Sequence, residues 1–310
     1  MRIAIIGQQD FGKAVLEAFL SHGDTVAGVF CAPEKPGARP DPLRIAAEHA
    51  NVRVHQLPSL KTTEAREALR SLDVDLGVMA YVLQFVPQDL VRIPRHGMIQ
   101  YHPSLLPRYR GPSAINWPII RGDVLTGLTI FRPVDGLDEG PVLLQKTTPI
   151  AAEDTLGSVY FERLFPLGVA ALVEAAELVT AGRAAAVAQD ESQASYEGWC
   201  RAAEARINWH NHVDLVHNLI RGCDPSPGAW TVFNGKKLQL FETRKHAYRK
   251  FSDVQGSIGA VSALGERSVF ISAHGGRIEV FKLRYEGGQK IAAPQFCAEA
   301  GLGLGAVLGE

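Results

Sequence analysis

The sequence predicts an α/β protein: a Rossmann-like, doubly wound, mostly parallel sheet followed by a smaller, mainly β, barrel-like (OB-like) domain. Three observations predict it. Over the first half, short apolar runs alternate with amphipathic stretches of helical period, as repeated strand–helix–strand units do. After residue 206 the pattern changes to short strand signals, with Asn234-Gly235 and Gly275-Gly276 between them as hairpin turns. The length, 310 residues, is that of about two domains. The expected organisation is a first domain over 1–188, a linker over 189–206 and a second domain over 207–310.

Taken in order, 2–6 reads as a buried strand, and 11–22 as a helix with Val15, Phe19 and Leu20 at helical spacing. Strand 25–30 precedes a helix over 41–50 that Asp41 can cap. Strand 52–55, helix 62–71 and strand 74–80 follow, then strand 97–101, a helix over 113–121, and strands 127–132 and 142–150. A long helical stretch covers 155–181, and Pro166 predicts a kink or a division into two helices. Residues 184–204 are mixed, small and polar, as a linker is. Beyond them come a helix over 213–220 and strands 230–233, 238–243, 257–263, 268–272 and 277–284.

Composition excludes several classes. A formal net charge of -1 gives no whole-chain attraction to nucleic acid or to a membrane surface. The four cysteines, Cys31, Cys200, Cys223 and Cys297, are widely spaced. That argues against a disulfide framework or a zinc site and for a reducing, cytoplasmic compartment. The opening MRIAIIGQQDFG enters a strand at once, unlike a signal peptide, and no apolar run looks long enough to span a bilayer. Gly7 to Gly12 (GQQDFG) is neither a dinucleotide fingerprint nor a phosphate loop, so no nicotinamide cofactor is expected. The basic residues between Lys236 and Lys250 are read as a solvated hairpin face rather than a nucleic-acid site.

The chemistry concentrates between Gln100 and Gly140. His102 stands at a strand end before a Pro-rich loop, HPSLLPRYRG, where doubly wound sheets hold ligands. A structural loop histidine is the plain alternative. Asp138 lies in the tight turn GLDEG, where it either bonds its own backbone or aims a carboxylate at His102. A carboxylate there can orient an imidazole and favour its charged form. Asp135 is the competing acid. Gln100, two residues before His102 on the same strand, shares its face, and an amide there can donate to a developing oxyanion. Arg108 and Arg110 offer positive charge to an anionic ligand or belong to a solvated turn.

HPSLLPRYRG followed by DGLDEG some thirty residues on resembles the folate-dependent formyltransferase family. That family includes the glycinamide ribonucleotide and methionyl-tRNA formyltransferases. The opening RIAIIGQQDFGKAVLEAFLSHGDTVAGVFCAPEKP is also similar to its N-terminal domain. The segments ASYEGWCRAAEARINW and NLIRGCDPSPGAWT extend the likeness towards the hydrolase domain of 10-formyltetrahydrofolate dehydrogenase.

The resemblance implies a formyltransferase fold and 10-formyltetrahydrofolate as co-substrate, with no metal. It places the catalytic histidine on His102 and the catalytic aspartate on Asp138. The folate would be lined by Ala80, Tyr81, Val82, Leu83, Gln84, Phe85, Val86 and Pro87 and by the turn residues Asp135, Gly136 and Leu137. The family's usual asparagine two residues before the histidine is replaced by Gln100, which keeps the donor but adds a methylene. The dehydrogenase's hydrolase domain has an apolar residue there. The leading expectation is hydrolysis to formate and tetrahydrofolate. The alternatives are transfer to an amine on a small metabolite, a sugar nucleotide or, less in keeping with the short CAPEKPGARPDP loop, methionyl-tRNA; and folate binding without turnover. An oligomer is compatible with the sequence.

Overall fold

In the computed structural model, which describes residues 1–250 and 256–309, the chain packs as two compact units. One consists of Met1–Gly111, Gly127–Thr148 and Arg163–Tyr196, the other of Pro112–Thr126, Pro149–Glu162 and Glu197–Glu310.

The first unit is built on a seven-stranded sheet of order β3-β2-β1-β4-β5-β6-β7. The strands are β1 (Arg2–Gly7), β2 (Thr25–Cys31), β3 (Arg53–Gln56), β4 (Leu76–Ala80), β5 (Met98–His102), β6 (Leu125–Phe131) and β7 (Val142–Pro149). β1 to β5 run parallel, and β6 runs antiparallel to β5. The strand order reverses between β1 and β4, and ligands of such sheets lie outside the carboxyl ends of the strands at that point. Ile3, Ala4, Ile5 and Ile6 are all buried, as expected of a central parallel strand covered on both faces. At Gly7 an added Cβ would lie 2.1 Å from the Ala80 carbonyl oxygen, so a glycine lets β1 and β4 close on each other.

Helix α1 (Gln9–Ser21) buries Phe11, Val15, Leu16 and Phe19 on one face. α2 (Pro42–His49) is capped by Asp41, whose carboxylate accepts from Leu43 N at 2.9 Å. The same carboxylate accepts from Gln9 N at 3.1 and 3.0 Å, so the start of α1 already carries an internal negative charge. α3 (Thr63–Ser71) is capped by Thr62, and the short α4 (Gln88–Val91) precedes β5.

Pro166 divides the long helical stretch as its missing N–H predicts. A short α6 (Leu156–Ser158) leads into a π-helical segment, Val159–Leu164, and then α7 (Phe165–Thr180). A wide π turn absorbs the lost hydrogen bond just ahead of the proline. The continuous span Leu156–Thr180 has 25 residues and is, by length and composition alone, long and apolar enough to cross a membrane, a test that the core helix of a soluble protein also passes. That corrects the expectation that no segment reaches this length. Within α7 the buried stripe Gly168, Ala171, Leu172, Ala175, Ala176 and Val179 recurs at helical spacing, and the helix packs on α1 and β5.

The second unit holds α5 (Asn116–Arg121), α8 (Val213–Gly222) and an antiparallel sheet of order β10-β11-β12-β9-β8. Its strands are β8 (Trp230–Phe233), β9 (Lys236–Ala247), β10 (Val261–Leu264), β11 (Val269–Ala273) and β12 (Gly276–Tyr285), with β13 (Ile291–Ala292) paired to β12 and α9 (Ala293–Ala300) after it. Asn234 and Gly235 both take positive φ, 50° and 69°, as a two-residue hairpin between β8 and β9 requires. Cys200 and Cys223, distant in sequence, meet as buried thiols at 3.7 Å.

His217 on α8 lies in this unit's core, 2% exposed, with Nε2 3.3 Å from the Thr243 carbonyl. Burial pushes its pKa down to about 4, against the partial support of that carbonyl. The unfolded chain therefore binds a proton between about pH 6.5 and 4 that the folded protein refuses. The stability from keeping this ring neutral is complete above that window and is lost as pH falls through it, on the order of 3 kcal/mol. His217→Gln is expected to flatten the fall in urea midpoint between about pH 7.5 and about pH 4.5. An equally steep fall in the variant would assign the acid sensitivity to other groups.

Candidate active site

His102 is the last residue of β5, 6% exposed, opposite Thr129 of β6. Its Nε2 lies 2.8 Å from the Tyr109 carbonyl oxygen. A carbonyl can only accept, so Nε2 carries a proton and Nδ1 is the nitrogen left to gain or lose one. Nδ1 faces Asp138 Oδ2 at 3.5 Å, longer than a hydrogen bond but within strong charge–charge range.

Asp138 is 7% exposed, and its Oδ2 also accepts from Gly111 N at 2.9 Å. Its φ is 57°, the left-handed region that Asp and Asn tolerate better than most side chains. Asp135, the competing acid, is exposed. Gln100 sits two residues before His102 with its side chain on the same face, half-buried, and its amide has no protein partner among the described residues.

The loop 103–111 that folds back over His102 is fixed by side chains that the sequence reading did not single out. Thr129 Oγ1 donates to the Ser104 carbonyl at 2.7 Å and accepts from Leu106 N at 3.1 Å and from Gln145 Nε2 at 2.9 Å. Ser104 Oγ donates to the Arg108 carbonyl at 2.7 Å. Thr129 Oγ1 thus makes one donated and two accepted bonds and Ser104 Oγ spends its one donor on the loop, which together hold the Tyr109 carbonyl on the histidine. Arg110, read from sequence as a charge for an anionic ligand or as part of a solvated turn, instead turns inward and is fully buried against Gln189, Glu191 and Tyr196. Arg108 remains at the surface with its guanidinium over the Tyr109 ring.

The loop after β4 leaves Tyr81, Leu83 and Phe85 47%, 59% and 54% exposed. Ala80 and Val86 are buried, Val82 packs partly on the core, and Gln84 Nε2 donates to the Leu57 carbonyl at 2.8 Å. Past Pro87, Gln88 Nε2 donates to the Pro133 carbonyl at 3.2 Å and so ties this loop to the chain that leads into the Asp138 turn. In that turn Asp135 and Leu137 are exposed and Gly136 is half-exposed. Exposed apolar side chains beside a buried acid–base pair suit a ligand with a flat aromatic part and a reacting polar group. A surface groove between α1 and α2, lined by Leu16, Leu20, Ile45 and His49 among others, contains none of these residues. Among the described residues no group of three or more His, Cys, Asp or Glu side chains could hold a metal ion.

Comparison with known proteins extends over both units. Residues 1–176 match the family model described as formyl transferase, and residues 200–301 match the formyl transferase C-terminal domain. The mitochondrial 10-formyltetrahydrofolate dehydrogenase of Mus musculus is 37% identical over 305 residues, covering 96% of this chain and 33% of that protein. The chain therefore spans about a third of the length of these curated relatives. The methionyl-tRNA formyltransferase of Geotalea uraniireducens (strain Rf4) is 32% identical over 315 residues, covering all of this chain and 98% of that protein. Among solved structures, WlaRD, a sugar 3N-formyl transferase crystallised with dTDP and 5-N-formyl-THF, superposes with a TM-score of 0.69 at 17% identity, covering 93% of this chain and 99% of that one. With both of its domains matched, and with a relative that aligns from end to end, the chain belongs to the formyl transferase family.

Proposed function

We propose that the chain binds 10-formyltetrahydrofolate and releases its formyl group to water, giving formate and tetrahydrofolate. The observation that carries this reading is the buried pair of His102 Nδ1 and Asp138 Oδ2, with Nε2 already committed to the Tyr109 carbonyl. The formyl group on N10 is an amide, and its hydrolysis needs an oxyanion stabilised and an amine protonated as it leaves. A water oxygen bonds to the formyl carbon while the carbonyl electron pair moves onto oxygen. Protonated Nδ1 donates to that oxygen, with the Gln100 amide on the same face, and the Asp138 carboxylate takes the proton that the water sheds. The intermediate then collapses: the oxygen's electron pair re-forms the carbonyl, the carbon–N10 bond breaks, N10 takes the proton that Asp138 received from water, and formic acid leaves and ionises. The exposed Tyr81, Leu83, Phe85 and Leu137 give the pteridine and aryl rings apolar surface. The likeness to 10-formyltetrahydrofolate dehydrogenases over 96% of the chain favours water as the acceptor. The carboxylate of Asp41 on the first amide of α1 opposes a dinucleotide pyrophosphate there.

The second reading is transfer to an amine. It is favoured by Gln100, a polar amide donor on the His102 face of β5, and by the likeness to a sugar N-formyl transferase. The deciding experiment incubates the protein with 10-formyltetrahydrofolate and no amine. Stoichiometric formate and tetrahydrofolate support hydrolysis. Binding without release rejects it in favour of an amine acceptor or of a folate-binding protein. Gln100→Asn shortens the donor by a methylene, an adjustment of about an ångström that can change a rate by on the order of 100-fold. It is expected to raise formylation of an offered amine relative to hydrolysis; an unchanged ratio removes Gln100 from acceptor choice.

A further inference from the structure

The segment 187–196 forms a strap over the site loops. At one end Val187 and Val142 exchange backbone hydrogen bonds of 2.8 and 2.9 Å. At the other, Ser195 accepts from Arg110 N at 2.9 Å, donates to the Pro107 carbonyl at 3.1 Å, and its Oγ accepts from Tyr109 N at 2.8 Å. Between these anchors Gln189 turns inward. Its Nε2 donates to the carbonyl oxygens of Asp138 and Gly140, both at 2.7 Å. Its Oε1 accepts from Arg110 Nε at 3.1 Å and Nη2 at 2.8 Å. A guanidinium only donates and a carbonyl only accepts, so the amide has one orientation that satisfies both sides. Arg110 is itself held by Glu191, at 2.9 and 2.7 Å, and by the Tyr196 hydroxyl at 2.6 Å.

We infer that Gln189, braced by Arg110, is a positioning residue that sets the reach of Asp138 to His102. One side-chain amide grips the turn at Asp138 and again two residues later. The Asp138 backbone sits in the left-handed region, which few side chains hold unaided. The carboxylate is therefore aimed by the strap as well as by Gly111 N. A displacement of an ångström between reacting groups costs on the order of 100-fold in rate. The role of Asp138 assumed here rests on the formyl-release reading above.

The test uses Gln189→Glu, which keeps an acceptor for Arg110 but turns a carboxylate on the two carbonyls, and Gln189→Asn, which withdraws the donor by one methylene. Two quantities are measured in the full chain: kcat and KM for 10-formyltetrahydrofolate, and the 15N NMR titration of the His102 ring in substrate-free protein. Gln189→Glu is expected to lower kcat by about 10–100-fold with KM within about 2-fold, and Gln189→Asn by less. Both are expected to move the His102 titration, and neither to cost much in an Asp138→Asn background. A merely structural role predicts an unmoved titration, with a penalty that multiplies that of Asp138→Asn; either result overturns the assignment. Should Gln189→Glu not fold, Gln189→Asn decides by the same two outcomes. If the unaltered protein releases no formyl group, the formyl-release reading fails by itself. The His102 titration then still decides whether the strap positions Asp138.

Discussion

His102→Ala is expected to lower kcat for formyl release by about 10²–10⁴-fold, the range that a positioned general acid–base group contributes. The argument is one of atoms. Nε2 is occupied by the Tyr109 carbonyl, and Nδ1 faces Asp138, so the ring has one nitrogen free to serve the reacting oxygen. Alanine removes that donor and leaves water to replace it without orientation. In the proposed complex the folate's rings lie on the exposed Tyr81, Leu83, Phe85 and Leu137, surface that the substitution leaves in place, so binding of tetrahydrofolate should persist. Truncation also strips the Tyr109 carbonyl of its shorter partner and leaves Ser104 Oγ at 3.4 Å, which costs about 1 kcal/mol of stability. The variant is therefore read beside His102→Gln, which restores a donor to Tyr109 but not a titratable ring. Loss of kcat in both, with folate binding retained and the thermal midpoint of His102→Gln near that of the unaltered protein, supports the assignment. Turnover within a few-fold of normal in His102→Ala would remove His102 from the chemistry.

Much of the fold was legible because hydrophobic period is a local property. The alternation of apolar runs and amphipathic stretches in the first half became five parallel strands with helices between them. Asn234-Gly235 became a hairpin with both residues at positive φ. The ends of elements were less legible. His102 is inside β5 rather than beyond it, and Gly127, expected to start β6, lies within a strand that begins at Leu125. α9 and β13 were missed because Ile291–Ala300 is short and rich in alanine, with little contrast between faces.

The candidate site was legible in the residues that the structure brings together and illegible in their support. His102, Asp138 and Gln100 stand out as residue types in a Pro- and Gly-fixed setting, and the structure puts the first two within 3.5 Å and the third on the same strand face. Burial separates Asp138 from Asp135, which sequence alone left as rivals. The strap could not be read, since a polar network has no period. Residues 189–206 looked like a linker because Gln189, Glu191 and Tyr196 are polar. They are polar because they satisfy a fully buried arginine. One signal did exist. An arginine between an apolar loop and a glycine, in RYRG, demands several acceptors if it is buried, and the nearest polar run downstream of the sheet is the one that supplies them.

Asp138→Asn separates charge from shape. Asparagine accepts the left-handed backbone that Asp138 adopts, and its amide oxygen can still take the Gly111 N–H. What disappears is the negative charge opposite His102 Nδ1. What appears is an N–H donor that a neutral imidazole can accept. In the wild-type pair an acceptor faces Nδ1, and in the variant a donor can face it, so the partner chemistry opposite the ring is inverted while its shape is kept. The expected result is a fall in kcat of about 10²–10³-fold with little change in KM, since the effect falls on the transition state rather than on binding. If Asp138 served only to hold the ring in place, asparagine would do so nearly as well and kcat would stay within a few-fold. Asp138→Glu gives the opposite combination, charge kept and reach altered by a methylene, with the donor network of Gln189 still on the backbone. Activity lost in Asn and partly retained in Glu identifies charge as the contribution of Asp138. Activity retained in Asn and lost in Glu identifies placement, and in that case the proton shed by the attacking water must go elsewhere than to this carboxylate.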